Sequence, residues 1–236
     1  VLPAETALID HLLNLFYPER CLFCRILLKS SSLVPLCPAC RQSFKPIGVL
    51  CPSCNQALNP GQRCYCSQQS PLNSLFALGT YDQQWRPLLH KLKYGNKRSL
   101  ARPLGRWLAY ELSWQQNACY QYIVPLPLHR SREKERGYNQ SALIAVQVAR
   151  VLAVPCSSLL LRTKATLSQT RISRRARQAN VRGAFKAAKA LPAETTILLV
   201  DDIYSTGATM QEAAKAFTRQ GLIVHGAVVA YNPRLN

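Results

Sequence analysis

Two adjacent carboxylates, Asp201 and Asp202, follow four apolar residues at 197–200 and precede Ile203-Tyr204-Ser205-Thr206-Gly207-Ala208-Thr209. The apolar run predicts a buried strand, and the turn at Gly207 predicts the opening of a helix. Carboxylates at the C-terminal end of a strand can accept hydrogen bonds from the vicinal hydroxyls of a ribose. The backbone amides of residues 205–209, the hydroxyls of Ser205, Thr206 and Thr209, and the helix N-terminus beyond them suit a phosphate. Gly207 lets the backbone approach that phosphate closely. The pattern predicts a sugar-phosphate site. The plainer alternative is a helix start whose acids complement the helix dipole. Two facts favour the site: these are the only aspartates after Asp82, and the chain before them is strongly cationic.

Eight of the ten cysteines form four close pairs: Cys21 with Cys24, Cys37 with Cys40, Cys51 with Cys54, and Cys64 with Cys66. Eight thiolates are what two tetrahedral all-cysteine zinc sites require. No His or carboxylate replaces a cysteine, so the two Zn2+ ions are expected to be structural. A segment of about fifty residues with few large apolar groups is marginal alone, and metal would supply its folding energy. A disulfide scaffold is the rival. Nothing at the N-terminus reads as a secretory signal, and a reducing compartment favours zinc. Spacing leaves open which pairs share an ion, since sequential and interleaved arrangements both close. The CxC pair, Cys64 and Cys66, is tighter than the other three. Cys119 and Cys156 lie outside the pattern and read as ordinary thiols.

Periodicity predicts the elements that position these groups. Leu8, Leu12, Leu15 and Phe16 share one face of a helix stopped by Pro18. That helix carries Glu5 and Asp10 but no Lys or Arg, so it is expected to pack on protein rather than on a membrane. Beyond a linker at 67–73, strands are expected over 75–81, 122–126, 157–161, 197–200 and 222–230. Helices are expected over 84–93, 99–112, 140–152 and 209–220. Such alternation predicts an α/β fold with a mostly parallel sheet, whose ligands sit at the C-terminal ends of its strands.

The 236 residues suit one core plus an appendage, and 48% hydrophobic content excludes wholesale disorder. No run approaches the ~18 apolar residues of a membrane span, so no transmembrane segment is expected. The net charge is +19 and unevenly spread: residues 81–182 hold 19 basic side chains against 4 acidic, a surplus of 15. Such a field favours polyanions.

With its acid pair and following loop, the chain resembles the type I phosphoribosyltransferases. With the cysteine pairs as well, it resembles the ComF family, the ComFC- and GntX-like proteins. Matching stretches include Lys93-Tyr94-Gly95, residues 124–129, residues 136–140 and residues 177–185. The resemblance implies a domain plan of an N-terminal helix (1–18), a double zinc-ribbon module (19–72) and a phosphoribosyltransferase-like domain (73–236). It implies a type I, Rossmann-like core that binds 5-phosphoribosyl-1-pyrophosphate (PRPP) with Mg2+.

By that likeness Asp201 and Asp202 hold the ribose hydroxyls, and Ser205, Thr206, Gly207, Ala208 and Thr209 hold the 5-phosphate. Lys93, Tyr94 and Gly95 occupy the pyrophosphate loop, and residues 162–182 form a mobile lid. Asp201, Asp202, Lys93 and Arg177 would carry the transfer chemistry, with Arg136, Asn139, Gln169, Arg174, Arg175 and Asn180 as further candidates. The likeness also implies a role in natural transformation, handling single-stranded DNA in the cytoplasm or at the inner face of the membrane. A competence helicase or DNA-processing protein would be its partner. Alternatives are a non-catalytic PRPP, nucleotide or DNA module, and a GntX-like metabolic transferase. The acceptor is left open.

Overall fold

The computed structural model describes residues 19–28, 33–59, 62, 64–66, 70–115, 119–164 and 179–233. The helix expected near the N-terminus and most of the expected lid, with Gln169, Arg174, Arg175 and Arg177, lie outside the described residues. The chain divides into two compact units, Val1–Lys45 and Pro46–Asn236. The division falls between the two cysteine quartets, inside the 19–72 span expected for one module.

Each quartet begins with the same turn. In the first unit the Cys21 N–H donates to the Ile26 carbonyl and the Arg25 N–H to the Cys21 carbonyl; in the second, Cys51 donates to Gln56 and Asn55 to Cys51. Arg25 and Asn55 take matching left-handed conformations, φ 68° and 61°. The first unit adds helix α1 (Pro38–Ser43), opened by a proline whose missing N–H costs nothing there. Among its described residues Cys21, Leu22, Val34, Pro35 and Leu36 are buried.

The larger unit is built on a six-stranded sheet. Its strands are β1 (Gly48–Leu50), β2 (Ala57–Leu58), β3 (Ser74–Thr80), β4 (Tyr122–Pro125), β7 (Thr196–Tyr204) and β8 (Ile223–Tyr231), in the order β2-β1-β3-β8-β7-β4. The four strands β3, β8, β7 and β4 run parallel, and β1 and β2 add antiparallel. Cys51 follows β1 directly, so the second quartet grows from the sheet itself. No run marks β1 and β2 in a loop-rich stretch, and they were not expected. The larger unit's helices among the described residues include α2 (Trp85–Tyr94), α3 (Ala101–Gln115), α4 (Arg130–Arg136), α5 (Gln140–Leu152) and α6 (Ala208–Thr218). Met210, Ala213, Ala214 and Phe217 of α6 pack with Ile197, Leu199, Val224 and Val228 of the sheet. Such burial contributes roughly 1.5–3 kcal/mol per large side chain. No helix among the described residues is long and apolar enough to cross a membrane.

Three elements differ from expectation. Strand β7 runs on to Tyr204, so Asp201 and Asp202 lie within it rather than beyond its end. Pairing with β8 continues to Tyr204, opposite Tyr231, whereas β4 stops at Pro125, opposite Val200. The acids therefore occupy the stretch where β7 outruns its neighbour. The strand expected over 157–161 is β5 (Leu160–Arg162), paired antiparallel with β6 (Phe185–Ala187) apart from the main sheet. Residues 155–157 instead run along the open side of β4: Ile123 donates to the Pro155 carbonyl and Ser157 to that of Ile123. Helix α4 has no apolar residue to reveal it. It is held by His129, whose Nδ1 accepts from the Ser131 N–H, and by left-handed Gly137 at its end.

Candidate functional site

Asp202 is 2% exposed. Its Oδ2 meets the Lys93 ammonium from the last turn of α2 at 2.8 Å, and the Gln140 amide donates to its Oδ1 at 3.5 Å. Asp201 accepts from the Ser141 hydroxyl at 2.6 Å and from the Asp202 N–H at 2.9 Å. Burial, and then repulsion from Asp202, push Asp201 up to about 7, against the Ser141 hydrogen bond and the Lys93 charge. Burial works against the Lys93 charge, but attraction to Asp202 outweighs it and holds that ammonium above its ordinary value.

Helix α5 supplies Gln140 and Ser141 because Asn139 starts it at this point. The Asn139 Oδ1 accepts from the Ser141 and Ala142 N–H groups, and its amide donates to the Leu126 carbonyl at 2.9 Å. Gln140, Ile144 and Val148 are spaced by four residues and all buried. A polar residue in register with that apolar face was the signal for Gln140, and it was missed.

The acids line a cavity of ≈ 210 Å³ together with Lys93, Arg132, Arg136 and Arg162. Burial and the nearby Arg132 charge lower Arg162. A second cavity, of ≈ 520 Å³, continues past Lys93, Tyr94, Asn96, Arg132 and Arg136. Tyr94 is 67% exposed, with the Arg136 guanidinium 5.1 Å from its ring centroid. Tyr138 is buried and donates its hydroxyl to the Leu92 carbonyl.

Residues 205–209 line a smaller hollow of ≈ 30 Å³, which shares Asp201, Ser205 and Thr209 with the ≈ 210 Å³ cavity. Gly207 has φ 74° and precedes α6 as its N-cap. A Cβ there would also collide with the Tyr204 hydroxyl. Gly207→Ala is expected to cost roughly 1–3 kcal/mol of stability. It should also weaken sugar-phosphate binding at least tenfold, read by thermal melting and calorimetry.

Lys93, Tyr94, Arg136, Asp201, Asp202, Ser205 and Thr209 all line the ≈ 210 Å³ cavity, and Thr206, Gly207 and Ala208 the hollow. Gly95 caps α2, Asn139 caps α5, and Asn180 lines none of these three spaces. Arg132, Gln140 and Ser141 belong to the site without having been chosen as candidates, and Arg162, expected to open the lid, instead ends β5.

The eight paired cysteines close as two sequential quartets, Cys21, Cys24, Cys37 and Cys40, and Cys51, Cys54, Cys64 and Cys66. Within each, the sulfurs lie within 4.8 Å of one another. Cys24 and Cys37 are 3.6 Å apart, Cys51 and Cys66 3.5 Å, Cys54 and Cys64 3.7 Å. A tetrahedral ion with ~2.3 Å bonds to sulfur gives edges of about 3.8 Å. A disulfide would need ~2.05 Å. Burial raises Cys21, but the N–H groups of Cys37, Cys24 and Phe23 outweigh it and bring it to about 6. Burial and its three neighbours push Cys40 up to about 12. Four thiols this close ionise together only around a cation, so both quartets fit a soft tetrahedral metal.

Residues 139–235 match the phosphoribosyl transferase domain family. Competence protein F of Haemophilus influenzae is 30% identical over 216 residues, covering 88% of this chain and 94% of that protein. The chain belongs to the ComF family. DNA utilization protein YhgH of Escherichia coli K12 is 33% identical over 168 residues, 69% of this ComF chain and 73% of that relative. Among solved structures, adenine phosphoribosyltransferase from Leishmania tarentolae aligns at TM-score 0.39 and 10% identity, covering 67% of this chain and 92% of that one.

Proposed function

We propose that this ComF chain binds PRPP with Mg2+ and transfers its phosphoribosyl group in the handling of single-stranded DNA during natural transformation. One observation carries the reading: the acid pair lines a cavity with four cations, and that cavity shares Asp201, Ser205 and Thr209 with a phosphate-sized hollow lined by residues 205–209. A phosphate-sized hollow, two carboxylates and a cationic cavity in contact suit the 5-phosphate, the ribose diol and the pyrophosphate of PRPP. Asp201 and Asp202 accept from the ribose hydroxyls. Residues 205–209 take the 5-phosphate. Lys93, Arg132, Arg136 and Arg162 stabilise the pyrophosphate as its bond to the ribose C1 breaks and the acceptor's bond forms. Mg2+, held mainly by oxygens of the substrate, would neutralise part of the departing charge. Arg174, Arg175 and Arg177, with Gln169 and Asn180, would close over the site and exclude water. Each cysteine quartet would hold one structural Zn2+.

Calorimetric titration with PRPP, with and without Mg2+, tests the binding, and acceptor-dependent release of pyrophosphate tests the transfer. Millimolar PRPP that gives neither heat nor thermal shift overturns the reading. The pH dependence has a definite sign. Asp201 ionises in the free protein near pH 7, and only the ionised form accepts from both hydroxyls. Affinity for ribose 5-phosphate is therefore expected to rise severalfold from pH 6 to 8 and then level off. In Asp201→Asn the rise should shrink to the part that comes from the second ionisation of the phosphate itself, at about pH 6.

A surplus of 15 positive charges over residues 81–182 exceeds what one pyrophosphate requires. That excess favours a second reading, a DNA-contacting module without transfer. Its salt slope on single strands should fall by roughly 2 when Arg174, Arg175 and Arg177 are neutralised together.

A further inference from the structure

The carbonyl of Pro52, between the paired Cys51 and Cys54, accepts two side-chain hydrogen bonds. The Gln211 amide donates at 2.8 Å and the Tyr204 hydroxyl at 3.3 Å. The Gln211 amide also lies 3.3 Å from the Tyr204 hydroxyl, so the three groups form one closed network. Tyr204 ends β7 and is buried. Gln211 stands in the first turn of α6, where its N–H donates to the Gly207 carbonyl at 2.9 Å. These two side chains bracket the phosphate loop at 205–209. The Tyr204 hydroxyl also lies against Gly207, close enough to exclude any Cβ.

We propose that the Cys51 quartet positions the phosphate loop, so that metal binding there and sugar-phosphate binding at 205–209 strengthen each other through Tyr204 and Gln211. The inference rests on the PRPP reading of that loop. The Pro52 carbonyl is aimed by the turn that Cys51 opens, which two backbone hydrogen bonds and the Cys51–Cys54 pair define. An ion gripping both sulfurs fixes that turn. Besides the Pro52 contacts, the described part of residues 51–66 joins the sheet through β1, of three residues, and β2, of two. A phosphate in the loop fixes the other end of the same network. Each ligand then finds half of the ordering already done, and the coupling is reciprocal by thermodynamic necessity. Tyr204 and Gln211 touch neither ligand in this account; they are positioning residues. The Cys21 quartet lies in the other compact unit and supplies an internal control.

The test uses the full chain and ribose 5-phosphate, which fills the phosphate loop without a pyrophosphate to sequester zinc. Zinc is partitioned at equilibrium between the protein and a coloured chelator, with and without saturating ribose 5-phosphate. Of the two bound equivalents, one should tighten by roughly fivefold or more and the other should not change. In Tyr204→Phe and in Gln211→Leu both equivalents should still bind, but the shift should shrink towards none. Ribose 5-phosphate that binds by calorimetry yet moves neither equivalent overturns the coupling and leaves the PRPP reading standing. A shift that persists unchanged in both variants overturns the role of this network. Absence of ribose 5-phosphate binding overturns both readings together.

Discussion

Asp202→Asn should abolish measurable PRPP binding and lower the melting temperature of the larger unit by roughly 6–20 °C. The substitution keeps the shape of the side chain and removes its charge, leaving the Lys93 ammonium, 2.8 Å away, without its main counter-charge. Breaking one side of a buried pair costs about 3–5 kcal/mol, much of it the cost of the remaining charge. In a unit of this size each kcal/mol moves the midpoint by about 2–4 °C. Removing both charges separates stability from function. Lys93→Met with Asp202→Asn should recover most of the lost stability, because no uncompensated charge remains. It should recover none of the binding. The Lys93 value is raised in the folded protein, so its contribution is fully present below pH 10.5 and is lost only as pH rises through that higher value. Melting of the wild type and the two variants at pH 7 and 9 checks this. A double variant no more stable than Asp202→Asn would show that the pair itself stabilises the fold.

Stripping the metal from the Cys21 quartet should cost more than any single substitution. In the smaller unit the buried apolar set, among the described residues, is Cys21, Leu22, Val34, Pro35 and Leu36, and Cys21 is itself a member of the quartet. So small a core does not offset the entropy of ordering the chain. Structural zinc in small all-thiol or mixed sites contributes roughly 10–16 kcal/mol. Chelation with metal content verified by elemental analysis should therefore erase amide-exchange protection over residues 19–45. Protection in β3, β4, β7 and β8 should persist, because that sheet has its own core. Retained protection over 19–45 in metal-free protein would show that apolar contacts suffice there.

How much of this was legible beforehand depended on whether the deciding force was local. The strand at 197–200 and the helix at 140–152 announce themselves, because one apolar face or run is enough to define each. The acid pair and the loop after it were legible for the same reason, being contiguous. The sequential closure of the cysteine quartets was not, since interleaved pairing fits the same spacing and only the folded turns decide between them. Helix α4 has no apolar face, so no period marks it. Gln140 and Ser141 reach Asp202 and Asp201 across about sixty residues of chain, and no local pattern encodes such a pairing. Tyr94 was read as part of a pyrophosphate loop, yet its exposed ring is a tertiary outcome. Assigning the second quartet to the larger unit required β1, of three residues, to find β3, and β2, of two, to find β1.

The segment at 155–157 that runs beside β4 has a consequence for behaviour in a crowded cell. β4 is the last strand of a parallel sheet, and a bare edge there would offer a ready template to another chain. Parallel sheets also assemble slowly, which lengthens the time such an edge stays open. Pro155 and Ser157 occupy the hydrogen-bonding groups of Ile123 from outside. At the opposite edge β2 is two residues long, too short to recruit a partner. The sheet thus ends in a short cover on one side and a stub on the other, which guards it against edge-to-edge aggregation while the rest of the chain is still folding.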